Sequence, residues 1–351
     1  MSMPDLTTAP PAVRVGGNRT LTIVEAMREA LREEMAAEDR VFVMGEDIVV
    51  GGAFLVTLGL AEDMGVDRVL NTPISENGFL GLAIGAAIEG LRPVVDMQYG
   101  DFLFTAADQL IQQASKLRYM SGGQVKIPLV LQLPTGASGR GAQHANSMES
   151  YFFGLPGIKI VTPSNPYDAK GLLKSSIRDD NVVLFIVHKH LYGSRGRALQ
   201  HEQTSVGEVP GEEYLVPIGV GKVIEEGQDI TVVANNVVLH HALNAASRLE
   251  GEGISVEVID PRTLVPFDID LVIESVEKTN RLLIVEENPA RGGWGPWVIS
   301  EVIRRAFYSI DAPIARLAAN DTPIPFSPPL ERASVPTEER IVEAIRQVIH
   351  G

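Results

Sequence analysis

Residues 69–98, VLNTPISENGFLGLAIGAAIEGLRPVVDMQ, carry the pattern that decides the fold of this 351-residue chain. The apolar pair Val69 and Leu70 leads into a polar turn. A run of small and apolar residues, uncharged until Glu89, then predicts a helix, and the next apolar run predicts a strand. A single carboxylate, Glu76, stands at the start of that helix. The order strand, helix, strand is typical of a parallel sheet.

The same alternation extends in both directions from this unit. Thr22 and Glu25 have the spacing of a capping box at the start of an amphipathic helix. Apolar strands then alternate with helices up to His190. The segments predicted to contain strands are RVFVMGED, RPVVDMQYGDF, IPLVLQLPTG, IKIVTPSNP and NVVLFIVHKH. Strands that are apolar throughout are buried on both faces, so we predict an α/β fold with helices covering a parallel sheet.

The alternation stops between Leu191 and about Pro217, in a stretch rich in glycine and charge, and then resumes on a smaller scale. The strands predicted after the interruption lie in DITVVANN, ISVEVIDPRT and NRLLIVEEN. A change of this kind is typical of a domain boundary. We therefore predict a loose N-terminal arm at residues 1–18, a first domain at 19–200, a linker at 201–216 and a second α/β domain at 217–351.

Composition narrows the class of protein. The net charge of −15 and an isoelectric point near 5.0 argue against binding to nucleic acid or to an anionic membrane. The absence of cysteine excludes disulfides, thiolate catalysis and cysteine-held zinc. The chain shows neither the pattern of a secretory signal nor an apolar stretch near the ~20 residues of a membrane span. We predict a soluble, cytoplasmic protein.

Polar residues follow three successive predicted strands. They are Glu46, Glu76 and the segment from Gln98 to Phe102. A single acid after a strand is usually a helix cap or a solvated loop residue. Three polar strand ends in succession favour a shared site, because ligands of open parallel sheets gather at the carboxyl ends of the strands.

Histidines supply further candidates. His144 lies in a loop with three glycines between residues 136 and 141, where it is either a proton donor or acceptor delivered into a cleft or a surface side chain. His188 and His190 alternate along a predicted strand as two metal ligands would, without an evident third ligand. No Walker, GxGxxG, GxSxG or HExxH motif is present. The residues by themselves thus predict an α/β protein with an acidic cleft.

A set of longer segments resembles one known family. The segments are MGEDIVVGGAF, NTPISENGFLGLAIGAAIEGLRPV, RYMSGGQ, QHANSMESYF, PGIKIVTPSNPYDAKGLL, IRDDN, EVIDPRTLVPFD and DTPIPFSPPLE. In this order they resemble the β subunit of the thiamine-diphosphate-dependent decarboxylase component of 2-oxoacid dehydrogenase complexes, over about residues 20 to 350. The resemblance implies a transketolase-like pyrimidine-binding domain followed by a transketolase C-terminal-like domain.

The resemblance also implies an activity. It is oxidative decarboxylation of a 2-oxoacid, pyruvate or a branched-chain acid, with acyl transfer to lipoyl groups of the acyltransferase component. An acetoin-cleaving dehydrogenase β subunit is the alternative within the family. A non-catalytic assembly or regulatory subunit is the alternative of another class, although Glu76 and His144 are both present. An electron-transfer flavoprotein-like carrier lacks a supporting dinucleotide motif.

Site residues follow from the resemblance position by position. Glu76 matches the acid that hydrogen-bonds the aminopyrimidine N1′ of thiamine, and we expect an apolar setting, partly supplied by the following helix, to raise its pKa. Glu46 resembles a carboxylate on a proton path between paired sites. His144 resembles the histidine that assists acyl transfer, although QHANS replaces the usual QHSQS around it. The residues implied to line the pyrimidine are Ser75, Gln98, Tyr99 and Phe102.

Metal ions and a partner chain are implied in the same way. The IRDDN turn resembles a structural potassium site whose oxygen ligands are Leu129, Ser176, Ile177, Asp179 and Asn181. The GDG motif that holds Mg²⁺ and the diphosphate in thiamine enzymes is missing. An α subunit is therefore implied to supply that half of the site in an α2β2 tetramer, and the chain alone is expected to be inactive. The small residues Gly81, Gly85 and Ala86 either serve close helix packing in this assembly or seat their helix on its own sheet.

Overall fold

The computed structural model describes residues 19–193 and 206–351. The N-terminal arm predicted at residues 1–18 lies outside the described residues. Residues 194–205, which include the junction between the predicted first domain and the predicted linker, also lie outside them.

The first part of the chain alternates strands and helices. Its strands are β1 (Arg19–Thr22), β2 (Val41–Gly45), β3 (Val69–Asn71), β4 (Arg92–Asp96), β5 (Val130–Thr135), β6 (Ile158–Val161) and β7 (Val182–His188). Its helices are α1 (Ile23–Ala37), α2 (Leu60–Met64), α3 (Glu76–Ile88), α4 (Ser115–Met120), α5 (Glu149–Phe152) and α6 (Pro166–Arg178). The strands predicted here are confirmed. A π-helical stretch, Gln109–Ala114, directly precedes α4.

The second part repeats the alternation. Its strands are β8 (Val206–Val209), β9 (Lys222–Glu225), β10 (Ile230–Ala234), β11 (Val256–Asp260), β12 (Thr263–Val265), β13 (Leu282–Pro289) and β14 (Ala315–Ala319). Its helices are α7 (Asn236–Glu250), α8 (Ile269–Thr279), α9 (Gly295–Ala306), α10 (Pro328–Ser334) and α11 (Glu338–His350).

Local signals account for where the main helices begin. The capping box predicted at α1 is confirmed, since Glu25 N–H donates to Thr22 Oγ1 at 3.2 Å and Thr22 N–H donates to the Glu25 carboxylate at 2.8 Å. Helix α6 begins with Pro166, and the side chain of Asn165 accepts from the N–H of Asp168 at 2.9 Å. Both arrangements satisfy amide groups that have no partner within the helix.

The larger sheet has the order β12-β6-β7-β5-β4-β2-β3. Its strands run parallel except β12, which pairs antiparallel with β6. The residues of β2, β5 and β7 are all buried, which explains their continuously apolar character. The smaller sheet has the order β14-β13-β10-β11-β9 and is parallel except for β9. The predicted fold class, two α/β domains with parallel sheets, is confirmed.

Two strands interlock the halves of the chain. Strand β12 follows β11 of the smaller sheet but completes the edge of the larger one. Beside it, Arg262 contacts Asp168 of α6 at 2.7 Å, and both side chains are buried. Strand β8 lies within the predicted linker and pairs with β1. The two halves of the chain are therefore joined by backbone pairing as well as by the connecting chain, although the two larger sheets share no strand.

Charged side chains are also buried in the interior of the first domain. The ammonium group of Lys170 on α6 is fully buried between Glu29 and Glu33 of α1, at 2.5 and 2.7 Å. Each charge is neutralised within hydrogen-bond distance, which burial of an ion requires. Within residues 19–193 and 206–351, none of the helices has both the length and the apolar character that a membrane span needs.

Candidate active site at the carboxyl ends of the larger sheet

The candidate site lies where the order in which the chain adds strands to the larger sheet reverses. Strand β2 stands between β3 and β4, so the connections from β2 to β3 and from β3 to β4 run in opposite senses across the sheet. The crevice at such a switch point is where open α/β sheets bind ligands. A Cβ atom on Gly45 would lie 2.5 Å from the carbonyl oxygen of Asp96, so glycine permits this close approach of strand ends.

Glu46 follows β2 and is 8% exposed. Its Oε1 is buried and has no hydrogen-bond partner among the residues that the structure describes. Burial raises the pKa of the Glu46 carboxyl, and the negative charge of Glu76 raises it further, ahead of Asp47 and Asp96. The fold therefore brings Glu46 and Glu76 close enough to repel each other electrostatically, as a shared site requires.

The enclosure expected around Glu76 is not found, and that expectation was wrong for this chain. Glu76 is half-buried, and its neighbours Ser75, Asn77 and Gly78 are exposed, with Ile74 83% exposed. Helix α3 buries its apolar face, beginning at Phe79, against its own sheet. The first turn projects beyond the strand ends, so the apolar character of the helix does not surround the carboxyl group.

A bend in the backbone after β4 sets the positions of the residues predicted to line the pyrimidine. Gln98 has φ 57°, in the left-handed region, and its N–H donates to Asp96 Oδ1 at 2.8 Å. Burial raises the pKa of the Asp96 carboxyl to about 6, although the hydrogen bond from Gln98 lowers it. The Gln98 amide donates to the carbonyl oxygen of Glu46 at 3.4 Å, which joins the ends of β2 and β4.

Aromatic rings connect this bend to the histidine loop. The ring of Tyr99 lies 5.5 Å from that of Phe102, and the imidazole of His144 packs edge-on against both, at 4.9 and 5.5 Å. His144 ends a short 3₁₀ turn, Ala142–His144, in the loop that follows β5. The structure thus brings His144 to the predicted lining residues, and its half-buried side chain is accessible.

Sequence reasoning missed a lysine beneath this histidine. Lys189 is fully buried, and its Nζ donates to the carbonyl oxygen of His144 at 2.7 Å. The available signal was a charged residue directly after the apolar strand β7, in the segment HKH where only the histidines were considered.

His188 and His190 do not form a metal site here. Strand β7 ends at His188, and the two rings lie 5.2 Å apart. His188 Nε2 lies 3.1 Å from Glu287 of the second domain. Gly136 leaves room for this contact, because a Cβ there would lie 2.0 Å from the His188 ring. The described parts of the chain contain no group of three or more His, Cys, Asp or Glu residues suited to a metal ion.

The predicted potassium ligands lie around one turn, but protein groups already engage their oxygens. Asp179 pairs with Lys159 and accepts two hydrogen bonds from Asn181. The amide oxygen of Asn181 accepts from Arg118 at 2.6 Å, and the Ile177 carbonyl accepts from Arg92 at 2.9 Å. The carbonyls of Leu129 and Ser176 accept from backbone N–H groups. As described, this set of donors and acceptors fits a potassium ion poorly, because an incoming ion would have to displace a lysine or an arginine.

The small residues of α3 do not all seat it on its own sheet. Gly85 is exposed, and a Cβ atom there would meet no described atom within 4 Å. The atoms nearest to a Cβ on Gly81 would belong to the side chain of Gln109, at 3.5 Å. Leu82 and Ile88 on the same helix are 57% and 43% exposed. The packing alternative confined to this chain is therefore wrong at Gly85.

Fold and site together define a class: a two-domain α/β protein with paired carboxylates and aromatic side chains at the switch point of its first sheet. Family comparison agrees with this class. The family described as "Transketolase, pyrimidine binding domain" matches residues 19–195, and the one described as "Transketolase, C-terminal domain" matches residues 219–341. A solved structure titled "Split gene transketolase, inactive beta4 tetramer" has the same fold, with a TM-score of 0.72 at 22% identity over 95% of this chain and 99% of that chain.

Curated relatives are much closer in sequence. A pyruvate dehydrogenase E1 component subunit beta of Rickettsia felis is 42% identical over 94% of this chain and 98% of its own length. A 2-oxoisovalerate dehydrogenase subunit beta of Bacillus subtilis is 41% identical over 93% and 98%. The beta subunit of an acetoin:2,6-dichlorophenolindophenol oxidoreductase of Cupriavidus necator is 40% identical over 95% and 98%. The chain belongs to the family of β subunits of thiamine-diphosphate-dependent 2-oxoacid dehydrogenases, and the predicted resemblance is confirmed.

Proposed function

We propose that the chain works with an α subunit to decarboxylate a 2-oxoacid oxidatively and to transfer the acyl group to lipoyl groups of an acyltransferase component. The observation that carries this proposal is the pair Glu46 and Glu76 at the switch point. One carboxylate is buried with an oxygen that no described residue engages, and the other is half-open at a helix start. An arrangement that keeps two repelling acids together is typical of a functional site rather than of a stabilising contact.

The residues of the site suit the aminopyrimidine end of thiamine diphosphate. When bound, this cofactor supplies the nucleophilic carbon and the electron sink for decarboxylation. Glu76 would hold a proton at the pyrimidine N1′ atom, and Glu46 would exchange protons with the site from its buried position after β2. Tyr99 and Phe102 offer apolar surface to a flat ring, while Gln98 and Ser75 offer polar groups at its edge.

His144 would assist acyl transfer. Its imidazole packs edge-on against Tyr99 and Phe102, so its position is fixed relative to the ring-lining residues. A histidine at this point can give a proton to, or accept one from, an incoming thiol group near neutral pH. The presence of both Glu76 and His144 argues against a purely assembly or regulatory role.

A second chain would complete the site. Ile74 exposes apolar surface near Glu76, Leu82 and Ile88 expose more along helix α3, and Gly85 leaves room for a helix to approach closely. We propose that an α subunit covers this surface in an α2β2 tetramer. It would provide both the apolar enclosure of Glu76 that this chain lacks and the groups that hold Mg²⁺ and the diphosphate. The chain alone would then be inactive.

The substrate is open among three kinds. Relatives named for pyruvate, 2-oxoisovalerate and acetoin are 42%, 41% and 40% identical, and these values do not separate them. We propose pyruvate or a branched-chain 2-oxoacid as substrate, with acetoin as the alternative. The domain limits at residues 200 and 217, the potassium site and the cytoplasmic location stay predictions.

Co-expression with the α gene tests the proposal. The purified pair is supplied with thiamine diphosphate and Mg²⁺ and assayed against pyruvate, branched-chain 2-oxoacids and acetoin, with an artificial electron acceptor. We expect turnover of one class by the pair and none by the chain alone. Turnover by a preparation free of α subunit contradicts the shared site, and no turnover by a well-assembled pair contradicts the enzymatic proposal.

A further inference from the structure

Lys189 is buried, although removing a lysine ammonium group from water is energetically unfavourable. It follows β7 directly, and its side chain is fully buried. Its ammonium group donates to the carbonyl oxygen of His144 at 2.7 Å and lies 5.6 Å from the ring centroid of Tyr99. Burial of a positive charge is unfavourable without compensation. Here the compensating partners are the backbone and an aromatic neighbour of His144.

A second contact holds the loop two residues after this histidine. Asp101, next to Phe102, is 6% exposed, and its Oδ1 accepts from both the backbone N–H and the side-chain amide of Asn146, at 3.1 and 2.5 Å. The amide oxygen of Asn146 in turn accepts from Tyr151 at 3.2 Å. Asn146 is one of the two positions, with Ala145, at which the segment QHANS departs from QHSQS. Its side chain therefore ties the histidine loop to the segment that lines the site.

His144 thus stands between two fixed points. Its own carbonyl is held by Lys189, and the residue two positions later is held by Asp101. The other oxygen of Asp101, Oδ2, is buried and has no hydrogen-bond partner within residues 19–193 and 206–351. The negative charge of Asp101 acts favourably on the Lys189 ammonium. Charge and hydrogen bonding together set the backbone that carries the imidazole.

We propose that Lys189 is a positioning residue for acyl transfer: its ammonium group, balanced by Asp101, holds the His144 turn so that the imidazole faces the reacting thiol and acyl groups. The inference rests on the acyl-transfer role proposed for His144. It assigns Lys189 no contact with substrate or cofactor.

The proposal has a consequence for pH dependence. Burial lowers the pKa of the Lys189 ammonium to about 8. The charged groups that act on it are Asp101, Glu287 and Glu331, which raise the pKa, and Arg140, which lowers it. Hydrogen bonds from a charged donor are about twice as strong as neutral ones. The hydrogen bond that holds the turn is therefore stronger below about pH 8 and weakens as Lys189 loses its proton, so we expect acyl transfer to fall on the alkaline side.

Two substitutions at Lys189 separate charge from shape. Lys189→Met keeps the length of the side chain and removes the ammonium group, whereas Lys189→Arg keeps a positive charge at all accessible pH values. Lys174→Met is the matched control, because Lys174 on α6 is also buried but pairs with Glu33 of α1. All variants are assembled with the α subunit, and acylation of free lipoamide is compared with C2 proton exchange of the bound cofactor.

We expect Lys189→Met to slow acyl transfer at least about tenfold. The loss in the rate of C2 proton exchange should be several-fold smaller than the loss in acyl transfer. We expect Lys189→Arg to recover part of the rate and to move the alkaline limit above its wild-type position. A second readout does not need activity. In the full chain labelled with ¹⁵N-histidine, the His144 signal should show an inflection near pH 8 that both Lys189 variants lack.

The outcomes distinguish this inference from the function on which it rests. If Lys189→Met slows both reactions equally, or if Lys189→Arg leaves the alkaline limit where it was, Lys189 is a structural lysine and the inference fails. If His144→Ala leaves acylation of lipoamide at the wild-type rate, the proposed role of His144 fails instead. Equal losses in Lys174→Met and Lys189→Met also overturn the inference, because a buried lysine of any location then gives the same result.

Discussion

Glu76→Gln separates the acid of the site from its shape. The side chain is half-buried at the first turn of α3, so its replacement disturbs little packing. Loss of a negative charge at a helix start costs about 0.3–1 kcal/mol of helix stability. We therefore expect the variant to fold and to assemble with the α subunit. What glutamine cannot do is trade a proton with the pyrimidine N1′ atom.

The expected loss of activity is much larger than the loss of stability. General acid–base groups contribute about 100- to 10,000-fold, so kcat should fall at least about 100-fold, or about 2.7 kcal/mol of barrier. A second effect follows from the pair. Because burial and then the charge of Glu76 raise the pKa of the Glu46 carboxyl, Glu76→Gln should lower that pKa toward its ordinary value. Any acidic limit of C2 proton exchange set by Glu46 should move to lower pH.

The deciding measurement is C2 proton exchange of bound thiamine diphosphate in the assembled protein. This reaction reports activation without substrate chemistry. Glu62→Gln is the control, because Glu62 is likewise an acid in the first turn of a helix and is exposed. Exchange at the wild-type rate in Glu76→Gln would refute the reasoning and make Glu76 a structural acid.

Three further results are expected. Lys170→Met should cost about 3 kcal/mol, at the low end for breaking a buried pair, because Glu29 and Glu33 lose their shared cation; an unchanged urea midpoint would contradict this. Burial raises the pKa of Glu149 to about 7, above the unfolded value near 4.3, so its contribution to stability is present at low pH and lost as pH rises through 7. Glu149→Gln should therefore raise the free energy of unfolding by up to about 3 kcal/mol at pH 8 and by less at pH 6, with a corresponding rise in the thermal midpoint. A stabilisation that does not depend on pH would oppose this account. If potassium binds at Asp179, the thermal midpoint should be higher in KCl than in NaCl at equal concentration, and equal midpoints would remove the site from consideration.

The sheets were predictable because their signal is local. Continuous apolar runs such as β5 and β7 can only be buried on both faces, and helical periodicity between them requires crossover connections. The pairings that interlock the two halves were not predictable. Strand β12 contains three residues, and β8 lies in a segment rich in charge and glycine. Short strands of this kind form because a distant edge, β6 or β1, supplies their hydrogen-bond partners.

The candidate site, like the fold, was predictable from the sequence only in part. Strand ends were enough to group Glu46, Glu76 and Gln98, because the carboxyl ends of parallel strands lie at one edge of a sheet. The expected enclosure of Glu76 was wrong because apolar residues of a helix face its own core, and a pattern along one chain does not show which turn projects beyond the sheet. The hydrogen bond from Lys189 to the His144 carbonyl joins residues 45 positions apart, a separation at which local sequence patterns predict no contact.

The sequence by itself determined the fold class, the family and the identity of the acidic and histidine candidates, since these depend on local periodicity and on the order of long segments. Tertiary structure alone decided which oxygen of Glu46 is left without a partner in the described chain, that Glu76 stands open, and that a buried lysine holds His144. The physical reason is that burial, charge coupling and hydrogen-bond satisfaction are properties of atoms brought together from distant strands, and each strand carries only its own part of them.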